Sequence, residues 1–117
     1  MALARIQYKT TYACEHRELH LQCDPNESIH LVRANYGRFS LSICNDGGRL
    51  DLSVMCMSFR SFLIMSDRCS NKQNCSVTVS SQLFDDPCPG TAKYLEVQYH
   101  CVQGENFFIR CFQKFKL

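Results

Sequence analysis

With 117 residues the chain has room for one domain, and a single core of that size is only marginally stable. Nine cysteines point to the missing stability, since in an oxidising compartment each long-loop disulfide contributes about 2–4 kcal/mol. Thirteen Lys/Arg against eleven Asp/Glu leave a net charge of +2 without a basic run, which excludes a nucleic-acid footprint.

The opening Met-Ala-Leu-Ala-Arg-Ile is too short in its apolar part for a secretory leader. An extracellular chain of this kind is therefore expected to be a mature domain or a piece of a longer protein. Alternation then marks Glu18–Cys23 as a strand, with Leu19, Leu21 and Cys23 on one face. Ser28–Ala34 reads as a second strand with Ile29 and Leu31 inward. In Leu50–Met57, Leu50, Leu52, Val54 and Cys56 share a parity, which predicts another strand. Ser58–Arg68 fits a 3.6-residue period better, and a short helix is expected there with Phe59, Phe62, Leu63 and Met65 on its apolar side.

Beyond the helix, Cys75–Ser80 puts Cys75, Val77 and Val79 inward, and Tyr94–Cys101 does the same with Leu95, Val97, Tyr99 and Cys101. Asp24-Pro25-Asn26, Asn45-Asp46-Gly47-Gly48 and the run from Asp85 to Gly90 are turn sequences. Residues 102–117 are aromatic and basic and read as a C-terminal extension. There Phe108, Cys111, Phe112 and Phe115 would share one side of a helix. No apolar run approaches the roughly 18 residues that cross a bilayer, so no direct membrane insertion of the domain is expected.

Chemistry-bearing motifs are few. Paired Cys-x2-Cys knuckles are absent, which argues against zinc ribbons and redox motifs. Cys14-x-His16-x3-His20-x2-Cys23 has a conceivable ligand geometry on a strand, but solvent-facing histidines beside disulfide cysteines is the simpler reading. The serines sit in no Gly-x-Ser-x-Gly elbow, and the adjacent Asp85 and Asp86 suit a turn better than a catalytic pair. No enzyme activity, metal or cofactor is expected. Two sequons mark Asn26 and Asn74 as expected glycosylation acceptors; Asn26 lies in an accessible turn, and Asn74, followed by a cysteine expected to be bridged, is the poorer of the two.

Two longer stretches stand out, Ala34-Asn35-Tyr36-Gly37-Arg38 and the run Asp86 to Cys101, each a turn presenting charged side chains at a sheet end. Together they resemble the two signature motifs of the rhamnose-binding lectin family, also called the galactose-binding or sea-urchin-egg-lectin type. The resemblance covers Cys14 to Cys101, with eight cysteines in the family's order. The wording of Met65–Cys75 and Lys93–Tyr99 is most similar to the domains of latrophilin-type adhesion receptors and Eva-type Slit receptors. It implies residues 1–13 as a flank, 14–101 as the domain and 102–117 as an extension.

The resemblance implies an α+β fold: a compact antiparallel β-sandwich of about five strands with a short helix, long loops and four disulfides. Eight cysteines allow 105 pairings; the family's order implies Cys14–Cys44, Cys23–Cys101, Cys56–Cys88 and Cys69–Cys75, leaving Cys111 unpaired. It also implies a carbohydrate site at Glu15, Asn35, Tyr36, Arg38, Asp86, Gly90 and Lys93, where carboxylate and ammonium grip neighbouring hydroxyls without a metal. Where many members carry an aromatic residue after Thr91, this chain has Ala92. The expected function is an extracellular, cell-surface receptor module for an adhesion-type protein ligand or a cell-surface glycan. The alternative is a calcium-independent lectin for L-rhamnose- or D-galactose-like sugars.

Overall fold

The computed structural model describes residues 6–103. Alternating apolar residues pay off only where a neighbouring strand and a core receive them, and five segments meet that condition. These are β1 (Lys9–Cys14), β2 (Glu18–Gln22), β3 (Glu27–Gly37), β4 (Asn74–Thr78) and β5 (Tyr94–Gln103). All pair antiparallel, in a three-stranded sheet of order β1-β5-β3 and a two-stranded sheet β2-β4. Two helices, α1 (Ser61–Cys69) and the single turn α2 (Ser81–Phe84), complete the fold. The two sheets and α1 enclose one core built on Leu19, Leu21, Ile29, Leu31, Met65, Val77, Val79, Leu95 and Val97. This is the expected α+β architecture, and its bridges join Cys14–Cys44, Cys23–Cys101, Cys56–Cys88 and Cys69–Cys75.

Three expectations change. Leu50–Met57 is not a strand: Leu50 is 86% exposed, and only Leu52 and Cys56 are buried. The free edge of β3 is reached by Cys56 alone, through an isolated bridge to Arg38, so the alternation there has no ladder to join. The fifth strand is instead β1, in the stretch that reads as an N-terminal flank. The helix forms where expected but turns a different face inward. Ser61, Met65 and Cys69 are buried, whereas Phe59 is 83% and Leu63 69% exposed. Its rotation is set from both ends, by the Cys69–Cys75 bridge and by the Tyr36 backbone N–H donating to Ser61 Oγ at 2.8 Å.

A register shift between Leu31 and Arg33 has the larger consequence for function. Before it, the odd residues Ile29 and Leu31 face the core; after it, Ala34 pairs with Val97 and Tyr36 with Leu95, so the even residues turn inward. A bulge of this kind re-aims every side chain that follows. Gly37, at the strand's end, passes against the Cys56 carbonyl so closely that any Cβ would overlap it.

Candidate ligand-binding site

Three chain ends meet at one pole: the β1–β2 turn holding Glu15, the end of β3, and the 85–93 loop leading into β5. Two disulfides tie this pole together. Cys14–Cys44 anchors the loop after β3 beside Glu15, and Cys56–Cys88 anchors the 85–93 loop.

Glu15 is the junction. One carboxylate oxygen, Oε1, accepts the Tyr36 phenol at 2.5 Å, and Oε2 accepts the Lys93 backbone N–H at 3.2 Å. Tyr36 is fully buried and stacks on Phe84 at 5.2 Å between ring centroids, which fixes its hydroxyl on Glu15. Burial pushes the Tyr36 phenol well above the ordinary tyrosine range, and its bond to Glu15, the Glu15 charge and the Asp86 charge add to the shift. The folded chain thus holds this proton more tightly than the unfolded chain. The phenol's contribution to native stability is fully present below the ordinary tyrosine value of about pH 10 and is lost as pH climbs further. Unfolding by urea at rising pH is expected to show this alkaline loss, and Tyr36→Phe is expected to flatten it. An unchanged slope in the variant rules the phenol out as its source.

Lys93 is only 4% exposed. Its ammonium donates to the Cys88 carbonyl at 3.2 Å, to the Thr91 carbonyl at 2.5 Å and to Asp86 Oδ1 at 3.0 Å. An ammonium has three N–H groups, and three acceptors engage them. The Cys88 backbone N–H also donates to Asp86 Oδ1 at 3.0 Å, while Oδ2 takes no bond among the described residues. Gly90 has φ of +88°, the left-handed conformation that lets the loop fold back over Lys93.

Arg38 lies deeper and is fully buried. It donates through Nε to the Ala92 carbonyl at 2.7 Å and through Nη1 to those of Ser40 and Ile43 at 2.6 and 2.5 Å. Its Nη2 reaches the Cys44 carbonyl at 2.9 Å. The guanidinium also lies over the Tyr94 ring, 5.1 Å from its centroid. Four of its five N–H groups are therefore committed to its own chain.

Of the seven residues the resemblance singles out, Glu15, Tyr36, Asp86, Gly90 and Lys93 come together at the pole, with Arg38 beneath them. Asn35 does not join them. The bulge sends it to the opposite sheet face, where its amide binds the Cys56 carbonyl at 3.3 Å and the Ser58 N–H at 3.0 Å. What remains available at the pole is acceptor capacity, the second lone pairs of Glu15 and Asp86 Oδ2. Both sequon asparagines, Asn26 and Asn74, are exposed and sit at the other end of the strands. Among the described residues, the cysteines of the conceivable His/Cys ligand set are disulfide-bonded, and His20 Nδ1 lies 2.7 Å from Ser76 Oγ.

A groove of about 330 Å³ lies away from this pole, on the outer face of the three-stranded sheet. Gln98, Glu96 and Arg33 line it together with Phe39, Met57 and Phe59. Residue periodicity does not reveal this feature, because it needs apolar side chains that the core leaves outside.

Residues 21–101 match the sequence profile of the D-galactoside/L-rhamnose binding SUEL lectin domain. Latrophilin Cirl of Drosophila ananassae is 52% identical over 98 residues, 84% of this chain and 6% of the relative's length. Adhesion G protein-coupled receptor L1 of Homo sapiens is 46% identical over 90 residues, 77% of this chain and 6% of its own length. The chain thus spans a small fraction of these receptors.

Proposed function

The chain belongs to the D-galactoside/L-rhamnose binding SUEL lectin domain family, and from that premise we propose that it is the recognition module of an adhesion receptor. Its partner is an extracellular protein or a cell-surface glycan. The module is extracellular, in keeping with four disulfides and its receptor relatives. The family is one of binding modules, and no catalytic role is proposed.

One observation carries the ligand reading at the pole: Lys93 and Arg38 are occupied by their own chain, while Glu15 and Asp86 keep free acceptor positions. A ligand therefore arrives as a donor, as the hydroxyls of a neutral sugar do. Lys93 and Tyr36 hold the acceptors in place, Arg38 gathers the loop carbonyls beneath them, and Gly90 keeps the loop low enough for a ring to approach. A few such bonds in an open site correspond to a Kd of about 10⁻⁵ to 10⁻³ M.

Titration with L-rhamnose and D-galactose, followed by NMR, is expected to move the amides of Glu15 and the 85–93 loop. Asp86→Asn is expected to weaken that binding at least about tenfold, the loss of one charge-assisted bond. Absence of any shift at tens of millimolar sugar overturns the sugar reading. Protein recognition is the second reading, favoured by the apolar side chains left exposed on the outer sheet face.

A further inference from the structure

The three-stranded sheet has one face on the core and one uncovered. Along the uncovered face run Tyr8, Thr10 and Tyr12 from β1 and its approach, His100, Gln98 and Glu96 from β5, and His30 and Arg33 from β3. At its upper margin, Phe39, Met57 and Phe59 form an apolar ridge above the groove, 52%, 49% and 83% exposed. Tyr8 and Tyr12 are also more than half exposed. An aromatic and methionine patch rimmed by polar groups is the composition of an interface core.

Two charges of opposite sign stand together on this face. Arg33 and Glu96 both line the groove, opposite in sign, and neither makes an ion pair among the described residues. Two other exposed arginines do pair locally, Arg49 with Asp51 and Arg60 with Asp85, whereas Arg33 and Glu96 stay side by side without a bridge. Across the ladder, Arg33 opposes Gln98 and Asn35 opposes Glu96, so the two charges lie on a diagonal of adjacent strands. His100 meets Tyr8 and His30 edge to face, and burial, with the nearby His30, lowers its pKa.

One positive and one negative group side by side on an open face, next to an apolar ridge, can satisfy a two-fold contact, because in such a contact residue i meets j and j meets i. We propose that this face pairs with a second copy of the chain, Arg33 of each copy meeting Glu96 of the other. The ridge of each copy then rests on the lower half of its partner's sheet, near Tyr8 and His100. A three-stranded face is small, which places the dimer among weak, reversible contacts with a Kd of about 10⁻⁵ to 10⁻³ M. The contact does not depend on what the loop pole binds.

The test is sedimentation equilibrium of the 117-residue chain carrying Cys111→Ser, which prevents a covalent dimer through the ninth cysteine, over about 0.01 to 1 mM. A concentration-dependent dimer is expected. Arg33→Glu alone and Glu96→Arg alone are each expected to raise its Kd at least about tenfold, and the two together to restore it. Arg33 is exposed and Glu96 half-buried at the groove, and an unchanged thermal midpoint of each variant verifies that the fold is intact. A monomer throughout the range overturns the proposal. So does a dimer indifferent to either reversal, or a double variant no tighter than the singles.

Discussion

Arg38→Met is expected to destabilise the domain by about 3–5 kcal/mol, lowering Tm by at least about 15 °C. The side-chain stem survives this change and the fork does not. The carbonyls of Ser40, Ile43, Cys44 and Ala92 then lose the donor that gathers them. A buried acceptor left unpaired costs about 1–3 kcal/mol, and partial hydration of the loop offsets some of the sum. Arg38→Lys is expected to recover only part of the loss, because an ammonium cannot present a planar fork to carbonyls on several sides. Urea unfolding with a constant m-value measures this directly. An unchanged midpoint combined with lost sugar binding assigns Arg38 to ligand contact instead.

The second large effect belongs to the bridges. Cys23–Cys101 closes a loop of sequence separation 78, and Cys69–Cys75 one of separation 6. Loop-closure entropy assigns about 4.5 kcal/mol to the first and about 2 kcal/mol to the second. Replacing Cys23 and Cys101 together by Ala is expected to lower Tm roughly twice as far as replacing Cys69 and Cys75. The long bridge also ties the end of β2 to β5 beside the Ile29–Cys101 register pair, so its loss loosens both sheets at once. Equal costs for the two replacements would mean that residual structure in the unfolded chain, and not loop length, sets the stability.

The expected face of each strand agrees with the structure in four segments because half-buried strands repeat with period two. Leu19 and Leu21, Ile29 and Leu31, Val77 and Val79, and Leu95 and Val97 all lie in the core. The same rule misleads at Leu50–Met57, where alternation occurs without an edge to pair with. It passes over β1 because Lys9, Thr10 and Thr11 look polar, although their strand is held by hydrogen bonds to β5. Helical period located α1 but not its rotation, since Phe62 and Leu63 compete with Met65 for the core on hydrophobicity alone. A bridged cysteine and one serine hydroxyl decide that competition.

The site divides in the same way. Charged turns at a sheet end are visible along the chain, and so is the family wording they carry. That Lys93 and Arg38 point into their own loops is not visible, because it depends on which carbonyls the tertiary structure turns toward them.

That the chain is a disulfide-stapled extracellular module is therefore determined by local quantities: cysteine number, strand alternation and turn chemistry. Tertiary structure alone decided what its pole and its open face offer a partner. One extra residue near Val32 carries Tyr36 inward to Glu15 and Asn35 outward to the groove, and a register shift is a property of paired strands that no single strand records.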